Sequence, residues 1–211
     1  METERITLTP FYLSLLLLML AETAGAYITV RTGAFSLVML GGIRMAEIAG
    51  LLAVFHFTGN GLSAIGLGRG RILSGLRRGS LWALGFAVAV LLGFALLALW
   101  GVNPLKLFHI RLPEAAAERW AWFIVGGLIG PVAEEMVFRG IFYGFFRRWG
   151  IAAALVLSTV MFVGLHGAFG LTQVVGGIVF AVAYEVEETL MAPVVIHVTG
   201  NMALFTLSFF A

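Results

Sequence analysis

Two adjacent carboxylates and a guanidinium stand in the run Pro131-Val132-Ala133-Glu134-Glu135-Met136-Val137-Phe138-Arg139-Gly140, which is apolar on both sides. Ionisable groups are costly to hold in such surroundings and by default mark a functional site with a partner nearby. On a helix, residues four apart share a face, so Glu135 and Arg139 can pair across one turn. Glu134 is turned about 100° from that stripe, opposite no charge, and is free to face a cavity. One carboxylate reads as structural and the other as chemical. Two further apolar stretches carry polar groups: Phe162-Val-Gly-Leu-His166, and His197-Val-Thr-Gly-Asn201 with its His and Asn one turn apart. Three separate helices each bearing such a cluster point to one shared site.

The inventory excludes several chemistries. With no Cys and no Asp in the chain, there is no thiol nucleophile and no two-aspartate protease. No Gly-x-Ser-x-Gly elbow surrounds Ser158, and the zinc helix His-Glu-x-x-His is absent. A desolvated Glu can activate a water, and a His beside it can orient that water or shuttle its proton. A second His and an Asn can donate hydrogen bonds to a developing oxyanion. That set suits amide hydrolysis by direct water attack. Two His and one Glu could also hold a zinc with an open position, which stays as the alternative.

The elements that must position these groups are membrane helices. The 211 residues are 61% hydrophobic and 11% charged, against about 25% charged in a soluble domain. The net charge of +2 gives no argument for nucleic acid. Apolar runs fall at 7–30, 34–57, 81–100, 120–138 (extendable to 148), 151–168, 172–186 and 190–210. Each is near the ~20 residues of a spanning helix. The expectation is an all-α bundle of about seven spans, one integral membrane domain over 1–211 with its motif-bearing core at about 120–211. The Arg69–Arg78 loop and Arg147-Arg148 fall on one side with Arg5, which reads as a cytoplasmic N-terminus. Ile72, Leu73 and Leu76 suggest a short surface helix, and Gly126, Gly127, Gly130 and Pro131 suggest a break before the carboxylates. Arg44 and Glu47 are spaced for a local ion pair, with Glu22 able to approach from the first span. His56 and His109 read as interfacial. Glu134 lies 15 residues before Trp149 and His166 lies 17 after it. Antiparallel helices therefore bring the two level, roughly 22–25 Å from the turn. His197, only about 10 Å past a helix start near 190, fits this ruler less well.

The three motifs in this order resemble the CPBP, or Abi, family of intramembrane proteases, which includes the CAAX prenyl endopeptidases of the Rce1 type. The family's Glu-Glu-x-x-x-Arg stands at Glu134-Glu135 to Arg139, its Phe-x-x-x-His at Phe162 to His166, and its His-x-x-x-Asn at His197 to Asn201. The first four spans match only as generic helices. The resemblance implies that Glu134 and His166 activate the water, that His197 and Asn201 stabilise the oxyanion, and that Glu135 and Arg139 support them, without a resident metal. It implies a membrane-associated peptide or protein substrate, lipidated in CAAX-type members and linked to bacteriocin processing in bacterial ones. Brevity suggests a prokaryotic plasma-membrane protein. The competing classes are a transporter with a buried proton or ion path and an immunity scaffold that binds a peptide without cleaving it. The first would need a second broken helix in the other half of the chain, which the sequence lacks.

Overall fold

The computed structural model describes residues 6–33, 36–107, 110–166 and 170–210. Arg5, His109 and the end of the expected fifth span at 167–168 lie outside the described residues. Among the described residues no strand occurs, and seven long helices account for most of the chain. They are α1 Leu8–Thr32, α2 Leu37–Phe57, α3 Ile72–Leu99, α4 Ala116–Trp149, α5 Ile151–Leu165, α6 Leu171–Glu187 and α7 Met191–Leu207. Apolar sequence with few breakers lets each run until a glycine in the left-handed region or a turn stops it, as Gly33 stops α1 at φ 65°.

Among the described residues α1 to α4, of 25, 21, 28 and 34 residues, are long and apolar enough to cross a bilayer by themselves. Seven long helices agree with the expected all-α bundle of about seven spans. α5 has 15 residues and α6 and α7 have 17 each, about 23–26 Å at 1.5 Å per residue against a hydrocarbon core of ~30 Å. α5 and α7 carry two of the three polar motifs, and the third lies on the long α4.

Three boundary readings change. The surface helix expected around Ile72 is the first turn of α3, which begins nine residues earlier than the hydropathy run. α4 does not break at Gly126–Pro131. It stays helical from Ala116 to Trp149 and instead widens to i→i−5 hydrogen bonding over Trp122–Ile129 and Met136–Tyr143. Gly130 N–H reaches Val125 O and Gly144 N–H reaches Arg139 O. Such bulges accommodate a proline that the tighter ladder would reject. Third, the carboxylates do not open a new helix, so the dipole at a helix start does not act on them.

α4 is the axis of the bundle and packs against α2, α5, α6 and α7, while α3 lies along α7. The α3–α7 contact is close because Gly75 and Gly79, one turn apart, face it. A Cβ on Gly79 would lie 2.9 Å from Ala192 O, a backbone atom that cannot yield. One end of the bundle gathers the basic side chains. Arg71 pairs with Glu188 at 3.0 Å, Arg78 with Glu187 at 2.9 Å, and Arg147 with Glu185 at 2.9 Å. Trp82 Nε1 donates to Glu187 at 2.8 Å, and Leu190 N–H donates to Gly66 O at 3.0 Å. The α6–α7 turn is thus tied to α3 and α4 on both sides, which fixes where α7 starts.

Candidate active site

Glu135 and Arg139 pair across one turn of α4 at 3.0 Å, both fully buried. Arg139 Nη2 donates to Gly177 O on α6 at 3.1 Å. Its guanidinium carbon lies 4.6 Å from the Phe162 ring centre and 5.2 Å from that of Phe180. A cation in a low-dielectric interior is held by its counter-ion and by the negative faces of those rings. The same rings flank the two histidines: Phe162 lies 4.3 Å from the His166 ring, and Phe180 stacks on His197 at 4.6 Å. The buried pair and the candidate site are therefore one packed unit.

Glu134, a quarter-turn away, points elsewhere. Its Oε2 lies 3.5 Å from His166 Nε2 and 3.7 Å from His197 Nε2. Glu134 and His166 keep 29% of their side-chain surface, so this carboxylate faces accessible space where Glu135 does not. Both gaps exceed a direct hydrogen bond and leave room for a water shared between the groups.

The far side of each imidazole fixes what faces Glu134. His166 caps α5, and its Nδ1 lies 2.7 Å from Phe162 O. A carbonyl only accepts, so Nδ1 carries the proton and a neutral His166 presents the bare Nε2 to Glu134. Two acceptors then face each other at 3.5 Å, an arrangement that a donor with two O–H groups satisfies. His197 is backed by a carboxylate: its Nδ1 lies 2.7 Å from Glu135 Oε1, the same oxygen that Arg139 holds. With Nδ1 turned to that carboxylate, its Nε2 is the nitrogen that faces Glu134.

His197 reaches Glu134 although the depth ruler made it the least well placed. Tyr143 Oη donates to Glu185 at 2.8 Å and Arg147 pairs with it at 2.9 Å, setting the end of α6 beside the end of the second widened stretch of α4 and the turn that follows. α7 therefore starts deeper, and six residues carry His197 to the level of Glu134. Asn201, one turn on, is not in contact with the other three. Its Nδ2 donates to Gly126 O at 2.9 Å, on the face of α4 toward α7.

Arg44 binds both Glu22 and Glu47 at 2.6 Å, so the local pair and the approach from α1 both occur. α2 packs against the Gly130–Glu135 segment. His56 is exposed at the end of α2. Sequence reasoning passed over Phe180 and Gly177; the inward face Gly177, Phe180, Ala181 and Tyr184 of α6 was legible by its helical period. The ion pairs of Glu185, Glu187 and Glu188 were also missed, their arginines having been read as topology signals alone.

Among the described residues no group of three His, Cys, Asp or Glu side chains is arranged to hold a metal ion. No curated protein and no solved structure matches the chain. A family model described as "Rce1-like: Type II CAAX prenyl endopeptidase Rce1-like" matches residues 116–203, from the first turn of α4 to two residues past Asn201. Over those 88 of its 211 residues this chain, with its long apolar helices, is similar to the Rce1-like type II CAAX prenyl endopeptidases.

Proposed function

We propose that the protein is an intramembrane endopeptidase that hydrolyses a peptide bond of a membrane-associated or lipidated substrate, CAAX-type or bacteriocin-like, with a water activated by Glu134 and His166. The observation that carries this is the pair of acceptors, Glu134 Oε2 and His166 Nε2, 3.5 Å apart at the edge of accessible space. A water that donates one O–H to each turns its oxygen lone pair outward. As that oxygen attacks the scissile carbonyl carbon, Glu134 takes the proton and the carbonyl becomes an oxyanion. Asn201, with its second Nδ2–H, and His197, at Nε2, are the groups that face it. The proton held by Glu134 then passes to the leaving amine as the C–N bond breaks. The products are a carboxylate and an amine, and no group is consumed. Glu135 and Arg139 do not touch the reacting atoms; Glu135 orients His197, while Phe162 packs between His166 and the buried guanidinium.

In this reading the basic end of the bundle, with Arg71, Arg78 and Arg147, faces the cytoplasm of a prokaryotic cell, and the N-terminus lies on that side. The test is purified protein in liposomes with a fluorogenic membrane-anchored peptide, unmodified and prenylated. Glu134→Gln keeps the shape and removes the proton acceptor, so turnover falls by about 10²–10⁴-fold with folding intact. Turnover of that variant near wild type would overturn the mechanism.

A further inference from the structure

In the first widened stretch of α4 each backbone N–H serves the carbonyl five residues back: Gly130 N–H donates to Val125 O. In that register the donor owed to Gly126 O belongs to residue 131, which is proline and has none. Gly130, the donor that the ordinary ladder would offer Gly126, is already committed to Val125. A carbonyl in an apolar interior cannot be left without a partner cheaply. The partner comes from another helix: Asn201 Nδ2 on α7, at 2.9 Å. Because the carbonyl only accepts, it also decides which way the Asn201 amide faces.

We infer that Pro131 is a positioning residue that acts through its missing N–H: it leaves Gly126 O vacant so that this carbonyl holds Asn201 by one Nδ2–H and keeps the other free for the oxyanion. The local packing is built to the same end. A Cβ on Gly126 would lie 3.3 Å from Phe205 Cζ, and one on Gly127 would lie 2.9 Å from the Met202 sulfur and terminal methyl, so the two glycines let α7 come close enough for the bond. Pro131 stands three residues before the carboxylate it helps serve, yet its work is done on the neighbouring helix. The inference rests on the oxyanion role proposed for Asn201, but its first half, that Pro131 vacates a carbonyl for Asn201, is testable without any activity.

Pro131→Ala restores an N–H in position to claim Gly126 O. The chain contains three asparagines, Asn60, Asn103 and Asn201, so protein labelled with 15N-asparagine shows three side-chain amides, and Asn201→Ala assigns the third. The expected result is that Pro131→Ala moves the Asn201 amide resonance and leaves those of Asn60 and Asn103 in place. With the membrane-anchored peptide, kcat falls on the order of 10–100-fold with KM unchanged. The double variant with Asn201→Ala turns over no more slowly than Asn201→Ala alone. The α-hydroxy analogue of alanine placed at 131, which has neither ring nor N–H, restores both the resonance and kcat. An unmoved Asn201 amide in Pro131→Ala overturns the inference, as does an α-hydroxy variant that behaves like Pro131→Ala or fails to fold with it. If instead Asn201→Ala cleaves at the wild-type rate while Pro131→Ala still moves the amide, the oxyanion role fails and the placement of Asn201 by Pro131 stands.

Discussion

Arg139→Gln tests whether the site is held together by its buried ion pair. Arg139 and Glu135 have no exposed side-chain surface, and Glu135 Oε2 and Arg139 Nε are already buried without a partner. No spare donor is therefore at hand to take the place of the guanidinium. Removing one member of such a pair leaves an uncompensated buried charge and costs about 3–5 kcal/mol. At roughly 2–4 °C per kcal/mol for a chain of this size, the midpoint of thermal unfolding should fall by about 6–20 °C. Glu135→Gln should cost a similar amount, because the guanidinium then faces an amide. It should also lower turnover, since the carboxylate behind His197 is gone. The assay is tryptophan fluorescence on heating in detergent, for both single variants and the double. The double variant removes both charges at once, so it should be clearly more stable than the sum of the singles implies. Single variants within about 1 kcal/mol of wild type, or strictly additive losses, would refute a pair that organises the site.

Three further outcomes follow from the same structure. Exhaustive chelation should leave cleavage intact, and elemental analysis of the purified protein should find no stoichiometric zinc; activity that returns only on adding zinc to stripped protein would put the metal-dependent alternative in place of the glutamate mechanism. Arg44→Leu leaves the fully buried Glu47 without its cation and should lower the unfolding midpoint by an amount comparable to Arg139→Gln, whereas Glu22→Gln, at a side chain 54% exposed, should change stability by less than about 1 kcal/mol in the same melt. Gly79→Leu should push α3 from α7 and reduce the yield of folded protein on size-exclusion chromatography, while Gly85→Leu, on the same helix with open space around it, should not.

What the sequence made legible was what local spacing decides. The four-residue interval makes the Glu135–Arg139 pair, and nearly matched counts of 15 and 17 residues on either side of Trp149 bring Glu134 level with His166. What it could not show depends on where neighbouring helices begin. The depth of His197 is set by Tyr143 and Arg147 on Glu185, contacts between residues 38 to 42 positions apart that no periodicity announces. The run Gly126, Gly127, Gly130, Pro131 was legible as an irregularity but not as its kind. A break and a widened turn answer the same composition, and the choice falls to the widened turn because α7 supplies, through Asn201, the one hydrogen bond that the proline removes.

The two histidines illustrate the same limit at the level of a single proton. Both motifs place an imidazole four residues from a partner, and both rings end near Glu134, at 3.5 and 3.7 Å. What separates them is the group behind each ring. A main-chain carbonyl four residues back, which any helix provides, backs His166 and fixes its proton on Nδ1. A carboxylate from another helix backs His197. One ring is thereby held by the main chain of its own helix and the other by the buried ion pair. Glu135, the carboxylate that spacing alone assigned to structure, is the group that makes the difference.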